Sequence, residues 1–282
     1  MIARKFSYAF ARHVAEKIAT VTFGSLFVSD LGRRSRQALS ALGRPQATPK
    51  VRVAILAHAY YVELLDEILA CRDVLPTPAP LHLTVPLERM ELVAERVSGL
   101  VDVTLHPCEN RGRDIAPFLT VLGSGALDGY DAVLKLHTKR SPHLLDGETR
   151  RKLLFATLCG SREATSKALK AFEDPRTGLV GWGCCFRTGR TYWMKNETRV
   201  RELADRMQAA DAARLGFFEG SMFWFRPASL SALRELDLRP EDFEAEERQL
   251  DGTLHHAVER CFTIAAWGRG FVVRNLSGRI LA

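Results

Sequence analysis

The sequence predicts an α/β domain with a mostly parallel sheet flanked by helices, preceded by an N-terminal amphipathic helix. Three observations predict it. Short β-branched runs alternate with helix-period segments from residue 51 onward. The basic excess sits entirely in the first fifty residues, marking them off from the rest. The unusual polar residues fall just after the expected strands, where open α/β sheets bind their ligands.

The arm comes first. Residues 1–50 carry nine Lys/Arg against only Glu16 and Asp30, which accounts for the whole formal charge of +7. The remaining residues are balanced, so the chain's high pI does not imply nucleic acid as a partner. Within the arm, Ile2, Phe6, Phe10, Val14, Ile18 and Val21 recur at helical spacing, with Arg4, Lys5, Arg12 and Lys17 between them. Such a cationic amphipathic helix suits the interface of an anionic membrane; it equally suits docking on the body. It lacks the uninterrupted apolar core of a secretory signal. Residues 30–50 read as a basic linker, giving an arm over 1–50 and one domain over 51–282.

The body then unfolds in order. A strand is expected in VRVAILAHAY (51–60), a helix over 61–75, a strand bracketed by prolines over 78–86 and a helix over 87–100. A third strand (101–107), a helix (115–127) and a fourth strand (130–138) follow. The second half reads as one helix over 150–174, a strand over 177–186, a helix over 198–211 and an aromatic strand over 220–227. A helix over 251–262 and a last strand near Phe271–Val273 close the chain. Cys71, Cys108, Cys159, Cys184, Cys185 and Cys261 form no CxxC pair, so neither a zinc nor a disulfide framework is expected and a reducing compartment is the simpler setting.

The turn after the third strand is Glu109-Asn110-Arg111-Gly112-Arg113-Asp114. Two arginines around a glycine at a strand-to-helix junction suit an anion, and Asp114 suits a helix cap or a hydroxyl contact. The fourth strand ends in Lys135-Leu136-His137-Thr138-Lys139, and alternation puts Lys135, His137 and Lys139 on one face. Cations there require an anionic partner, either a phosphate-bearing substrate or carboxylates from elsewhere in the fold. In the aromatic strand, Phe223 and Phe225 read as core, while Trp224 alternates to the opposite face and is the better ligand candidate. Asp251 precedes the late helix, where a carboxylate suits a general base or a cap. His255 and Glu259 share one face of that helix, and His256 and Arg260 share the next. No nucleotide-loop, zinc-protease or serine-hydrolase motif is present.

Together these segments resemble the rhamnan synthesis F family of bacterial polysaccharide-assembly proteins. The resemblance rests on His58-Ala59-Tyr60-Tyr61, ENRGRDI (109–115), YDAVLKLHTKRS (130–141), LLFATLCGS (153–161), GSMFWFRP (220–227) and QLDGTLHHAVER (249–260). It implies a Rossmann-type glycosyltransferase domain similar to the GT-A class. The expected activity is transfer of rhamnose or a related deoxysugar from a nucleotide-diphosphate donor of the dTDP-rhamnose type to a lipid-linked glycan. Transfer is expected to be inverting, with Asp251 as base and with cations in place of a metal, though a divalent metal stays open. His58, Tyr60, Asn110, Arg111, Gly112, Arg113, Asp114, Lys135, His137, Lys139, Ser221, Trp224, His255, Glu259 and Arg260 are the expected substrate-binding residues. No other cofactor is expected. The chain is expected in the cytoplasm, peripheral at the inner membrane through residues 1–28. Glu219 departs from the family pattern, which has a small residue before GSMFW, so its acidity is not carried over. The alternative is a non-catalytic glycan-binding or assembly protein with a transferase-like fold.

Overall fold

The structure is a computed structural model that describes residues 51–138, 147–247 and 249–281. The basic arm, Lys139 and the expectations attached to them lie outside the described residues. The chain divides into two compact units, residues 1–47 with 140–153, and residues 48–139 with 154–282. Of the first unit only the start of one helix is described; everything below concerns the second.

Its first half alternates as expected: β1 (Val53–His58), α1 (Leu65–Asp73), β2 (Leu81–Pro86), α2 (Met90–Val97), β3 (Val103–Cys108), α3 (Ile115–Gly123) and β4 (Ala132–His137). The second half contains α4 (Gly147–Cys159), α5 (Arg162–Ala171), β5 (Thr177–Gly181), β6 (Phe186–Arg187), α6 (Glu197–Arg206), β7 (Phe217–Phe218), β8 (Phe223–Phe225) and α7 (Ser231–Arg234). It ends with α8 (Leu254–Gly268), β9 (Val272–Asn275) and β10 (Ile280–Leu281).

Eight strands form one sheet in the order β10-β9-β5-β8-β4-β1-β2-β3, and β6 pairs with β7 separately. β1 to β4 run parallel, while β8 runs antiparallel to both β4 and β5. β5 and β9 are parallel again. Chain order therefore reverses between β1 and β4, which makes their carboxyl ends the switch point of the sheet. The short β8 enters from that same end, so the residues just before it approach the ends of β4.

Both sheet faces are covered, which explains the near-continuous apolar character of the parallel strands. Val53, Ile55 and Ala57 of β1 face a core shared with Leu65, Ile68, Val93, Leu158 and Leu169. Ala54 and Leu56 face the opposite core, built from Phe118, Leu122, Val200, Leu203, Val258 and Phe262.

Several expectations are corrected. The helix read over 150–174 is two helices, broken at Gly160, where a Cβ would lie 2.5 Å from the Ala156 Cα. Ser161 restarts the chain as α5, its hydroxyl accepting the Ala164 N–H at 3.2 Å. The late helix begins at Leu254 rather than 251 and runs to Gly268. The strand over 177–186 ends at Gly181, and Phe186–Arg187 turns away to pair with Phe217–Phe218. A disulfide joins Cys71 and Cys159, whose Cα atoms are 5.3 Å apart, against the reading that no cysteines pair. These two lie 88 residues apart in sequence, so no spacing rule could reveal them. Among the described residues no helix is long and apolar enough to cross a membrane.

Candidate functional site

The site is built where two left-handed turns meet the end of β4. The first is Gly112-Arg113, with φ of +62° and +55°. A Cβ at Gly112 would fall 2.7 Å from both Ala116 Cβ and Phe243 Cδ1, so glycine is required by conformation and by space. The second is Gly220-Ser221, with φ of +95° and +54°. A left-handed serine costs about 1 kcal/mol; here the turn directs both of its carbonyl groups at cations.

Those cations are Lys135 and His137, on the β4 face that points toward α3 and α8. Lys135 Nζ lies 2.5 Å from Asp114 Oδ2 and donates to Ser221 O at 2.9 Å and Ser221 Oγ at 3.0 Å. Its ammonium also lies 5.3 Å from the Phe118 ring centre and 5.7 Å from that of Phe262. His137 Nδ1 is 3.2 Å from Asp114 Oδ1, and its Nε2 is 2.9 Å from Gly220 O. Burial opposes charge on Asp114, yet His137 and Lys135 beside it hold its carboxyl well below the usual carboxylate range. An ionised carboxylate and a carbonyl only accept, so both ring nitrogens of His137 donate and the ring is an imidazolium. Lys135, His137 and Asp114 thus sum to one net positive charge, with the Lys135 side chain only 2% exposed and His137 10%. Asp114 precedes α3, but its side chain caps nothing; it serves the two cations instead.

The cluster continues sideways across the sheet. His137, His58, Thr84 and His106 occupy adjacent positions on β4, β1, β2 and β3. His58 Nδ1 lies 2.9 Å from Thr84 Oγ1, and burial pushes its pKa down to about 4, which leaves the ring neutral. Thr138 Oγ1 accepts the N–H groups of Tyr60 and Tyr61, both at 2.9 Å, and so ties the β1 loop to the end of β4. Ala59 and the end of β1 are thereby locked across the switch point.

The two arginines of the 109–114 turn reach the acidic segment before α8. Arg111 donates to Phe243 O at 3.0 Å. Arg113 donates to Gln249 O at 2.7 Å and pairs with Glu246 at 3.3 Å. Arg113 remains 39% exposed in its side chain. Asn110 is exposed beside them. Glu244 accepts the Leu254 N–H at 2.8 Å and takes the place at the start of α8 that sequence offered to Asp251.

Asp251 is held elsewhere. Its Oδ2 accepts the Lys195 N–H at 3.0 Å, its Oδ1 accepts Asn196 Nδ2 at 2.6 Å, and Arg260 lies 3.7 Å away. Arg260 is buried, donates to Tyr192 O and His256 O, and lies over the Phe217 ring at 4.8 Å. His255 and His256 both contact Thr253 Oγ1. Burial, reinforced by neighbouring positive charge, pushes them to about 3 and about 4, so both rings are neutral. Glu259 is half-buried on the same helix, and Glu219 pairs with Arg187 at 2.7 Å.

The structure therefore brings together His58, Asp114, Lys135, His137 and Ser221 in one contact network, with Arg113, His255 and His256 beside Asp114. It does not bring Trp224 to this site. That side chain is fully buried and donates its indole N–H to Leu158 O at 3.1 Å, so it has no open face for a ligand. Alternation did turn it away from Phe223 and Phe225, but into the other core. Ser221 and Lys135 are likewise consumed by each other. Thr84, Thr138 and Glu244 were missed: threonines in strands and a glutamate in an acidic stretch carry no pattern of their own. The register of His58 on Thr84 was the only available signal for the first. The one carboxylate among the strand-end cations is committed to Lys135 and His137, so these residues do not fit a divalent cation.

Comparison with known proteins adds the following. The family described as rhamnan synthesis protein F matches residues 35–271. Two proteins from strains of Xanthomonas campestris pv. campestris, each named uncharacterized protein WxcX, are 32% identical over 225 residues. The match covers 79% of this chain and 32% of theirs, so the chain spans about a third of the length of these relatives. No solved structure matches.

Proposed function

The chain belongs to the rhamnan synthesis protein F family, and from that premise we propose that it works in polysaccharide synthesis as an inverting glycosyltransferase. Its donor is a nucleotide-diphosphate deoxysugar of the dTDP-rhamnose type, and its acceptor is a lipid-linked glycan. The observation that carries this reading is the net positive, buried cluster of His137, Lys135 and Asp114 at the switch point of the sheet. A GT-A arrangement is supported by the strand order with its single antiparallel strand between β4 and β5.

In this reading the acceptor hydroxyl attacks the anomeric carbon while the bond to the diphosphate oxygen breaks. The nucleoside diphosphate leaves with the electron pair, and its growing charge is met by the His137 imidazolium and by Arg113 at the rim. Lys135 does not touch it; it positions Asp114, which orients His137. Asp251 takes the proton of the hydroxyl. Only two of its acceptor positions are used, which leaves lone pairs for that role. Residues 1–28 hold the domain at the cytoplasmic face of an anionic membrane, where a lipid-linked acceptor resides.

One observation favours a second reading. Lys135 is saturated within the protein, as a purely structural ion cluster would be, and this suits a glycan-binding or assembly protein. Calorimetry with a panel of nucleotide sugars separates the two: a transferase takes up one of them, whereas an assembly protein shows no heat with any.

A further inference from the structure

Most arginines of the described chain with a buried or ordered guanidinium meet a carboxylate. Arg96 lies 2.5 Å from Asp66, Arg187 is 2.7 Å from Glu219, and Arg199 is 2.7 Å from Glu244. Arg89 differs. It follows β2 at the carboxyl end of the sheet, half-buried, and its Nε is shielded from solvent with no hydrogen-bond partner. Arg234 Nε is also unpaired, but the other nitrogens of Arg234 hold Asp128. Arg89 has no such compensation among the described residues.

Its surroundings are fixed. The Arg89 guanidinium carbon lies 5.9 Å from the centre of the Tyr60 ring. Tyr60 packs edge-on against Tyr61 at 4.9 Å. The backbone of both tyrosines is pinned by Thr138 at the end of β4. Arg89 therefore rests on an aromatic support that is itself tied to the His137 strand.

A buried guanidinium donor without an acceptor costs roughly 1–3 kcal/mol. The fork of an arginine matches phosphate oxygens bidentately, and an aromatic face beneath it keeps it oriented. We infer that Arg89 is an anion-binding residue that grips a phosphate oxyanion lying across the carboxyl ends of β1 and β2. Resting on the donor reading above, that oxyanion belongs to the diphosphate of the nucleotide sugar. Arg89 meets it from the β2 side while His137 meets it from β4.

The full chain, its Arg89→Gln variant and its Arg89→Lys variant are titrated with inorganic pyrophosphate, dTDP and thymidine. Arg89→Gln is expected to weaken pyrophosphate and dTDP at least tenfold, leave any thymidine affinity unchanged, and keep the melting temperature, since no internal partner is lost. Arg89→Lys, which retains charge without the fork, binds with intermediate affinity. Equal pyrophosphate affinity in wild type and Arg89→Gln overturns the inference. Arg89-dependent binding of pyrophosphate with no binding of dTDP keeps the inference and removes the donor reading. Failure of the wild type to bind either phosphate removes both.

Discussion

Lys135 Nζ and Asp114 Oδ2 lie 2.5 Å apart, one on a central strand and the other at the tip of the 109–114 turn, both shielded from water. The pair fixes where that turn sits over the strand ends, and everything the site offers a ligand depends on it. His137 takes its orientation from the other oxygen of the same carboxylate.

Asp114→Asn should be severely destabilising, because it leaves two buried cations without a counter-charge. Breaking a buried pair by removing one partner costs on the order of 3–5 kcal/mol. Lys135→Met in the same background should restore part of that loss. A double-mutant cycle from denaturant unfolding measures it, and a coupling energy near zero would mean that the two groups do not interact.

Gly112→Ala adds a side chain at φ +62° against Ala116 and Phe243. Strain and overpacking together predict a loss of about 2–4 kcal/mol, read as a lower urea midpoint. Gly99→Ala, which meets nothing within 4 Å, should stay within about 0.5 kcal/mol.

Acid should weaken the fold before any carboxylate of the ion cluster titrates. Burial pushes His58 to about 4, His255 to about 3 and His256 to about 4 in the folded chain. The unfolded chain binds these protons first, near pH 6.5. Stability is therefore complete above that pH, falls as pH drops from 6.5 toward 4, and rises again on return. For fully buried His58 the loss across this window is on the order of 3 kcal/mol. His58→Gln should flatten the slope of unfolding free energy against pH, and an unchanged slope would contradict a neutral buried His58.

The Cys71–Cys159 disulfide closes a sequence separation of 88 residues. Chain-entropy reasoning assigns it about 4–5 kcal/mol relative to the reduced chain. Dithiothreitol should lower the melting temperature of the wild type and leave Cys71→Ser unaffected. Thiol counting under denaturing conditions without reductant should find four free cysteines, since Cys108, Cys184, Cys185 and Cys261 are unpaired. Six would contradict the bridge.

The first half of the fold was legible because its signals are local. Prolines bracket β2, helical spacing covers α1 and α2, and β-branched runs end where the polar residues begin. The face of Lys135 and His137 followed from strand alternation, and the need for an anionic partner followed from burial. What alternation could not say was which anion. Asp114 is distant from β4 in sequence, and only the Gly112-Arg113 turn brings it there. Trp224 failed for a related reason: opposite faces of a doubly covered sheet are both core. The tie between Thr138 and the tyrosines rests on a hydroxyl whose residue type carries no message, and so it lay beyond any reading of pattern.

The most direct test of the central claim is a crystal structure of the protein with dTDP bound. The account predicts the diphosphate at the carboxyl ends of β1 and β4, with a phosphate oxygen within hydrogen-bond distance of His137 and with Lys135 still on Asp114. Phosphates bound away from those strand ends, or a nucleotide that leaves no density at saturating concentration, would contradict it.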